Sequence, residues 1–242
     1  DQTTHEVLSS LTKNETLIKV LTAQYGDYGL PPRQSSFAMH ASVVKHYFEG
    51  GSFPIGGSGA IVSTVNEVLE AHGAQIMTKA EVAEIRIEQG KVHGVRMRDG
   101  KDIAAGQVVS GVGIFNTYEQ LIPDTVRAKH KFEAQLQKIQ SSVGHGCLYI
   151  GLKGSPESLK LPKNNLWIYP EGVDHDQAVA DYLEDQDRPF PVVYISFPAA
   201  KDPSWNARYP GRSTIDVITL LPYETFAHWE GTQWMHRGSE YE

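Results

Sequence analysis

Cysteine is almost missing from this chain of 242 residues, which contains only Cys147. A single cysteine excludes an intramolecular disulfide and fits a reducing compartment. Cys147 lies in the apolar run Gly146–Ile150. We therefore expect a buried structural thiol there rather than a nucleophile.

Long apolar runs and an excess of positive charge are also absent. No run approaches the roughly 18 to 20 apolar residues that a membrane-spanning helix needs. The first residues, Asp1–His5, have neither the basic nor the apolar region of a secretory signal. The formal net charge is -7 and no basic stripe is evident, so we expect no nucleic-acid partner. The predicted location is cytoplasmic or membrane-associated.

Three familiar motifs are incomplete or missing. Gly111-Val112-Gly113 follows an apolar segment, but Asn116 stands where a dinucleotide fingerprint needs its third glycine. No G-x-S-x-G element is present. His40 and His46 do not share one helix face, and no further ligands complete a metal site.

The most informative stretch begins with a glycine-rich loop, Gly50–Gly59, and continues into an amphipathic helix that Gly73 would end. Such a loop leads the chain to the positive end of a helix dipole. Its glycines let a ligand approach the backbone without a Cβ in the way. Its unpaired N–H groups would suit a flat or anionic ligand. A flexible connector is the alternative interpretation, but the fixed φ of Pro54 argues for a stiff loop.

The hydrophobic period changes after this helix. The pattern predicts a short strand at Ala74–Met77 and a final strand at Val108-Val109. Between them, turns at Gln89-Gly90 and Asp99-Gly100 predict a meander of three strands, because these turn residues tolerate positive φ.

The rest of the chain predicts an α+β protein. Four apolar segments read as strands of a mixed or antiparallel sheet backed by helices: 143–152, 165–169, 192–197 and 213–221. Helices are predicted at Phe37–Glu49, Pro123–Gln140 and Tyr223–Trp234. The first of them is apolar nearly all round, so we expect it to be buried in the core or to line an apolar substrate tunnel.

Five segments, in this order, carry a resemblance to a known family: Tyr47–Gly59, Gly73–Ile76, Ala80–Ile85, Phe197–Pro203 and Leu221–Phe226. They resemble FAD-dependent, amine-oxidase-like flavoproteins. Within that group they are most similar to the branch of phytoene desaturases, carotenoid isomerases and retinol saturases. The resemblance covers nearly the whole chain.

The resemblance implies a cofactor and a set of residues that bind it. The cofactor is FAD, and its implied contacts are Pro54, Gly56, Gly57, Val82, Ser110 and Gly111. The N-terminal fingerprint that holds the FAD pyrophosphate in this family is missing, so we expect an internal piece of a longer enzyme. No acid or base is assigned; Tyr47, His40 and His145 are the polar candidates in apolar surroundings.

The same resemblance implies a domain assignment. Residues 1–50 would be the helical part of a substrate domain, 51–118 the central part of the FAD-binding domain, and 119–242 the substrate-binding domain.

Two functions remain open at this point. The first is an oxidoreductase acting on carbon–carbon double bonds of a hydrophobic isoprenoid, with peripheral membrane contact in the longer protein. The second is a non-catalytic isoprenoid escort of the same fold without flavin, similar to the dissociation inhibitors that carry prenylated GTPases.

Overall fold

A computed structural model of the protein describes residues 2–139, 143–233 and 235–241. The chain divides into two compact units. Residues 1–66 and 142–242 form one, which we call the four-stranded unit, and residues 67–141 form the other, the three-stranded unit.

The helices and strands alternate irregularly along the chain. The α-helices are α1 (Thr4–Leu11), α2 (Glu15–Leu21), α3 (Phe37–His46), α4 (Ser58–Ala71), α5 (Asp124–His130), α6 (Phe132–Leu136), α7 (His175–Glu184), α8 (Pro198–Lys201) and α9 (Trp205–Arg208). The strands are β1 (Val82–Glu88), β2 (Lys91–Met97), β3 (Asp102–Ala104), β4 (His145–Lys153), β5 (Leu166–Ile168), β6 (Val193–Ser196) and β7 (Arg212–Leu220). Short 3₁₀ helices lie at Tyr25–Asp27, Tyr47–Glu49 and Tyr223–Trp229, and a π-helix lies at Asn116–Leu121.

The α+β class predicted from the sequence is confirmed, since both sheets are antiparallel and accompanied by helices. In the four-stranded unit the strand order is β4-β7-β6-β5. All four predicted strands are present there, within a few residues of their expected ends. Gln140 and Trp234, where two predicted helices end, lie outside the described residues.

The core of the four-stranded unit joins distant parts of the chain. Tyr25 is fully buried and packs with Val179 of α7, Val192 and Leu220. Its hydroxyl reaches the carbonyl oxygen of Pro191 at 3.5 Å. Burial of this large aromatic side chain among aliphatic ones stabilises the core, because it removes apolar area from water.

The two faces of this sheet differ in composition. Directly opposed residues of an antiparallel sheet share a face. One face, the aliphatic face, carries Leu148, Ile150, Leu152, Leu166, Ile168, Val193, Ile195, Ile215 and Val217. The other, the mixed face, carries Cys147, Tyr149, Trp167, Tyr194, Ser196, Asp216 and Ile218.

The three-stranded unit contains the predicted meander, with strand order β1-β2-β3. Gln89 and Gly90 both have positive φ, as the first turn requires, and Gly100 has a φ of 88° in the second. Gly94 is needed in β2 because its φ is 136° and a Cβ would overlap the carbonyl oxygen of Ile103. The strands predicted at Ala74–Met77 and Val108-Val109 are wrong, because no sheet partner pairs with either segment within the described ranges.

Two predictions of burial are also wrong. Cys147 is exposed, because β4 is an edge strand and its thiol points to the mixed face. In α3 and the turn after it, His40 is buried, but Met39 and Phe48 are 54% and 79% exposed. An apolar run predicts burial only when a neighbouring element covers it, and neither segment is covered on all sides.

Candidate functional site

The glycine loop Gly50–Gly59 belongs to the four-stranded unit and has a defined shape. Gly56 and Gly57 have φ values of 95° and 77°, which side chains rarely tolerate. The Gly57 N–H donates to the carbonyl oxygen of Pro54 at 3.0 Å and closes a turn. A Cβ added at Gly57 would meet no atom within 4 Å, so this side of the loop is open backbone.

A buried carboxylate holds this loop in place. The Gly56 N–H donates to Asp202 Oδ2 at 3.2 Å. The Ser204 N–H and hydroxyl donate to Asp202 Oδ1 at 2.9 and 2.7 Å, and Arg208 forms an ion pair with Oδ2. Burial alone would raise the pKa of Asp202, but these hydrogen bonds and the guanidinium hold it at about 2.

This arrangement corrects the expectation of unpaired amides in the loop. The N–H groups of Gly56 and Gly57 already have acceptors inside the protein. An anion therefore cannot use them without displacing Asp202 or breaking the turn. The loop instead presents a Cβ-free backbone surface, which suits the flat and uncharged part of a ligand.

Lys201 forms a second contact with the loop. Its Nζ lies 5.7 Å from the centre of the Phe53 ring, within the range of a cation–π contact. The same ammonium donates to Ser196 Oγ at 2.7 Å and to the side chain of Asn165. Partial burial lowers the pKa of Lys201. Lys201 and Asp202 belong to the segment Phe197–Pro203 that carried part of the resemblance. Their position in the sequence did not predict that both would contact the glycine loop.

A pocket of about 240 Å³ lies on the mixed face. Its walls are mainly apolar or aromatic and include Trp167, Val192, Tyr194, Ile218 and Leu220. The rings of Trp167 and Tyr194 pack edge to face with centres 4.8 Å apart. Gly26, Asp27, His145 and Thr219 complete the lining.

The three polar candidates have different surroundings. His40 is buried, its Nδ1 lies 3.1 Å from the Tyr28 hydroxyl, and burial lowers its pKa, which is typical of a structural histidine. The Tyr47 hydroxyl donates to Asp27 at 3.1 Å, at the rim of the pocket. His145 lines the pocket directly. No group of three metal-binding side chains occurs in the part of the chain that the structure describes.

The three-stranded unit has a large cleft of its own. Its volume is about 980 Å³, and it lies between the β1–β2 ribbon and the helices Asn116–Leu121 and α5. Ser110 and Gly111 line it, as do Ile85, Val92 and Tyr118. The Ser110 hydroxyl is 2.7 Å from that of Thr117. Ligand pockets typically measure about 300 to 1,000 Å³, so this cleft is at the upper end of that range.

The six predicted cofactor contacts thus fall into two groups. Pro54, Gly56 and Gly57 lie in the four-stranded unit, and Val82, Ser110 and Gly111 in the three-stranded unit. Val82 is opposite Met97 at the start of β1, an edge strand, and does not line the cleft. All six cofactor contacts stay a prediction.

Comparisons with known proteins agree with the motifs. All-trans-retinol 13,14-reductase of Homo sapiens is 36% identical over 249 residues, which is 100% of this chain and 41% of that protein. Prolycopene isomerase of Arabidopsis thaliana is 26% identical over 80% of the chain and 30% of its own length. A neurosporene-forming phytoene desaturase of Rhodobacter capsulatus is 27% identical over 79% of the chain and 36% of its own length.

The fold also has a counterpart among solved structures. An oxidoreductase from Methanosarcina mazei superimposes with a TM-score of 0.61 at 18% identity, covering 95% of this chain and 50% of that one. No protein-family profile matches the sequence. The chain spans about two fifths of the length of its reductase relatives, with 41% covered in the human protein. No helix in the described part of the chain is long and apolar enough to cross a membrane.

Proposed function

The relatives of this chain are all-trans-retinol 13,14-reductases, prolycopene isomerases and phytoene desaturases, and on that premise we propose a FAD-dependent oxidoreductase that acts on carbon–carbon double bonds of a retinoid- or carotenoid-like isoprenoid. The observation that carries the proposal is the 36% identity to a retinol reductase along the whole chain. These relatives saturate, isomerise or desaturate such bonds according to their names. The resemblance seen in the motifs is thereby confirmed.

The proposed cofactor contacts are distributed over both units, and each unit is considered by itself. Pro54, Gly56 and Gly57 would lie against the flavin, because their open backbone lets a flat ring approach closely. Ser110 and Gly111 would border the nucleotide in the cleft, and the backbone of Val82 would meet its adenine end. FAD, when bound, supplies hydride transfer, while the protein supplies binding, orientation and exclusion of water.

The substrate would lie in the four-stranded unit. The pocket on the mixed face is small, since a cavity of about 150 Å³ already binds benzene. A volume of about 240 Å³ therefore takes one end of an isoprenoid and not a whole polyene. The aromatic rings of Trp167 and Tyr194, which meet edge to face, offer apolar contacts to a conjugated chain.

We also propose the domain roles that the motifs imply. Residues 51–118 would belong to the FAD-binding part of a two-domain flavoprotein fold, and residues 1–50 and 119–242 to its substrate-binding part. Limited proteolysis with identification of the cut sites tests these boundaries against the units that end near residues 66 and 141.

The test of function is to express the full open reading frame and record its visible spectrum. We expect the two absorption bands of an oxidised flavin, and turnover of all-trans-retinol or a carotene to a product with one double bond changed. Chromatography of the products distinguishes saturation, desaturation and isomerisation. A colourless protein that still takes up retinol would instead support the escort function.

A further inference from the structure

The mixed face of the four-stranded sheet is amphipathic along its strands. Cys147, Ile218, Tyr194 and Trp167 are neighbours across the four strands and form one row. Two residues further along the strands lie Tyr149, Asp216 and Ser196, beside Asn165. The spacing of such rows is about 7 Å, twice the rise per residue of a strand. An apolar row thus lies directly beside a polar one.

Lys201 closes the polar row. Its ammonium donates to Ser196 and Asn165, and Asp216 is directly opposite Ser196 in the β6–β7 pair. The lysine charge opposes the rise that burial causes in the pKa of Asp216. Ser196 is only 8% exposed, so this is a partly desolvated arrangement rather than a surface ion pair. A lysine and a carboxylate beside one buried hydroxyl provide both donors and acceptors.

We propose that Lys201, Ser196 and Asp216 form a recognition site for the hydroxyl at the end of an isoprenoid alcohol whose hydrocarbon part lies over Tyr194 and Trp167. This inference rests on the proposed function and names the substrate end that the sheet binds. A hydroxyl can accept a hydrogen bond from Lys201 and donate one to Asp216. A carboxylate would be repelled by Asp216, and a hydrocarbon end would gain no hydrogen bond from the polar row. Both alternatives would therefore bind less well.

The site adjoins the glycine loop through the same lysine, whose ammonium contacts Phe53. The double bond that the reductase relatives are named for, the 13,14 bond of retinol, is separated from the hydroxyl oxygen by a single carbon. If the hydroxyl is bound by the polar row, the 13,14 bond must therefore lie close to that row. Lys201, Ser196 and Asp216 are on this basis specificity-determining residues and not the source of the chemistry.

The test compares two ligands that differ only in the hydroxyl. The binding of all-trans-retinol and of its deoxy hydrocarbon analogue to the whole chain is measured by quenching of tryptophan fluorescence. We expect wild type to bind retinol about tenfold more tightly than the hydrocarbon. Lys201→Met and Ser196→Ala should each weaken retinol binding by several-fold to tenfold and change hydrocarbon binding by less than about twofold.

Lys163→Met is the matched control, because Lys163 is an exposed lysine of the same unit, and it should bind both ligands as wild type does. Circular dichroism establishes that each variant is folded; Ser196→Ala, which removes one oxygen, keeps the test decisive if Lys201→Met does not fold. Equal losses for both ligands would mean that Lys201 only supports the loop, and the inference would be wrong. Tighter binding of retinoic acid than of retinol would also overturn it. If the wild-type chain binds neither ligand, the proposed isoprenoid function fails together with the inference.

Discussion

At the scale of single residues, Asp202 shows most clearly how the glycine loop is built. Its carboxylate accepts hydrogen bonds from the loop and from Ser204, and it pairs with Arg208. The sequence Asp202-Pro203-Ser204 is typical of a turn with a local hydrogen bond to Ser204, a signal that the sequence analysis did not use. The partner at Gly56, 146 residues away, depends on the tertiary fold and could not be predicted from spacing.

Replacing Asp202 should release the loop locally. In Asp202→Ala the Gly56 amide loses its acceptor, so we expect its hydrogen exchange to become about tenfold faster or more. Exchange at the β4 and β7 amides reports global opening and should change less. Asp187→Asn, at an exposed position of the same unit, serves as the control. Equal acceleration at Gly56 and in the sheet would show that Asp202 acts on global stability alone.

The same contact should depend on pH in a defined range. The pKa of Asp202 is about 2, below its ordinary value of 3.8, so the charged form is favoured in the folded protein. Its contribution to stability is therefore full above the ordinary value and is lost as the pH falls toward 2. An NMR titration of the Gly56 amide should show a constant shift above about pH 4 and a change below it. The same titration of Asp202→Asn should lack this transition.

At the scale of elements, hydrophobic periodicity predicted which segments form strands and helices. It was less successful in predicting which of their residues are buried and which strands have partners. The meander and the four strands of the larger sheet follow from alternating apolar residues and turn glycines, which act locally. Burial of Cys147 and of the Phe37–Glu49 helix was predicted wrongly, because covering elements are a property of the whole fold. The apolar segments Ala74–Met77 and Val108-Val109 show the same limit, since a strand also needs a partner.

The alternation of apolar and polar residues in β7 contained a signal for the polar row that the sequence analysis did not use. Asp216 interrupts the aliphatic run Ile215–Ile218, and a carboxylate placed so in a central strand usually has a polar partner. The charge that acts on Asp216 is that of Lys201, which comes from α8, after the neighbouring strand β6. The presence of a polar row could thus have been predicted from the sequence. That this row lies near the glycine loop could not, because it depends on the tertiary fold.

Gly94 provides a test of the three-stranded sheet at this scale. A Cβ there would overlap the Ile103 carbonyl and lie 2.9 Å from the Cα of Ala104, at a φ of 136°. We expect Gly94→Ala to destabilise the sheet by about 2 kcal/mol or more. At Gly106 a Cβ meets nothing within 4 Å and φ is not positive, so Gly106→Ala should be nearly neutral. Chemical denaturation of both variants checks the difference; equal stabilities would contradict the strand register.

At the scale of the whole molecule, the exposed apolar surface needs an explanation. The nine aliphatic side chains of the aliphatic face are all at least partly exposed, and Leu148 and Ile168 are 60% and 48% exposed. Helix α4 likewise exposes Ile61 and Val65 by 58% and 50%. Monomeric soluble proteins rarely leave large contiguous apolar patches in water. Since the relatives are more than twice as long as the matched region, additional chain is available in them to cover such surfaces.

If the aliphatic face is uncovered in solution, the chain should self-associate through it. We expect sedimentation velocity to show concentration-dependent association, together with strong binding of the dye ANS. Leu148→Lys, on the edge strand β4, should reduce both because a charge there disfavours burial against another chain. Tyr149→Lys is the matched control. Tyr149 is next to Leu148 on the same strand and is 74% exposed, but its side chain points to the mixed face. Equal effects of the two substitutions would mean that association depends on net charge and not on the aliphatic face.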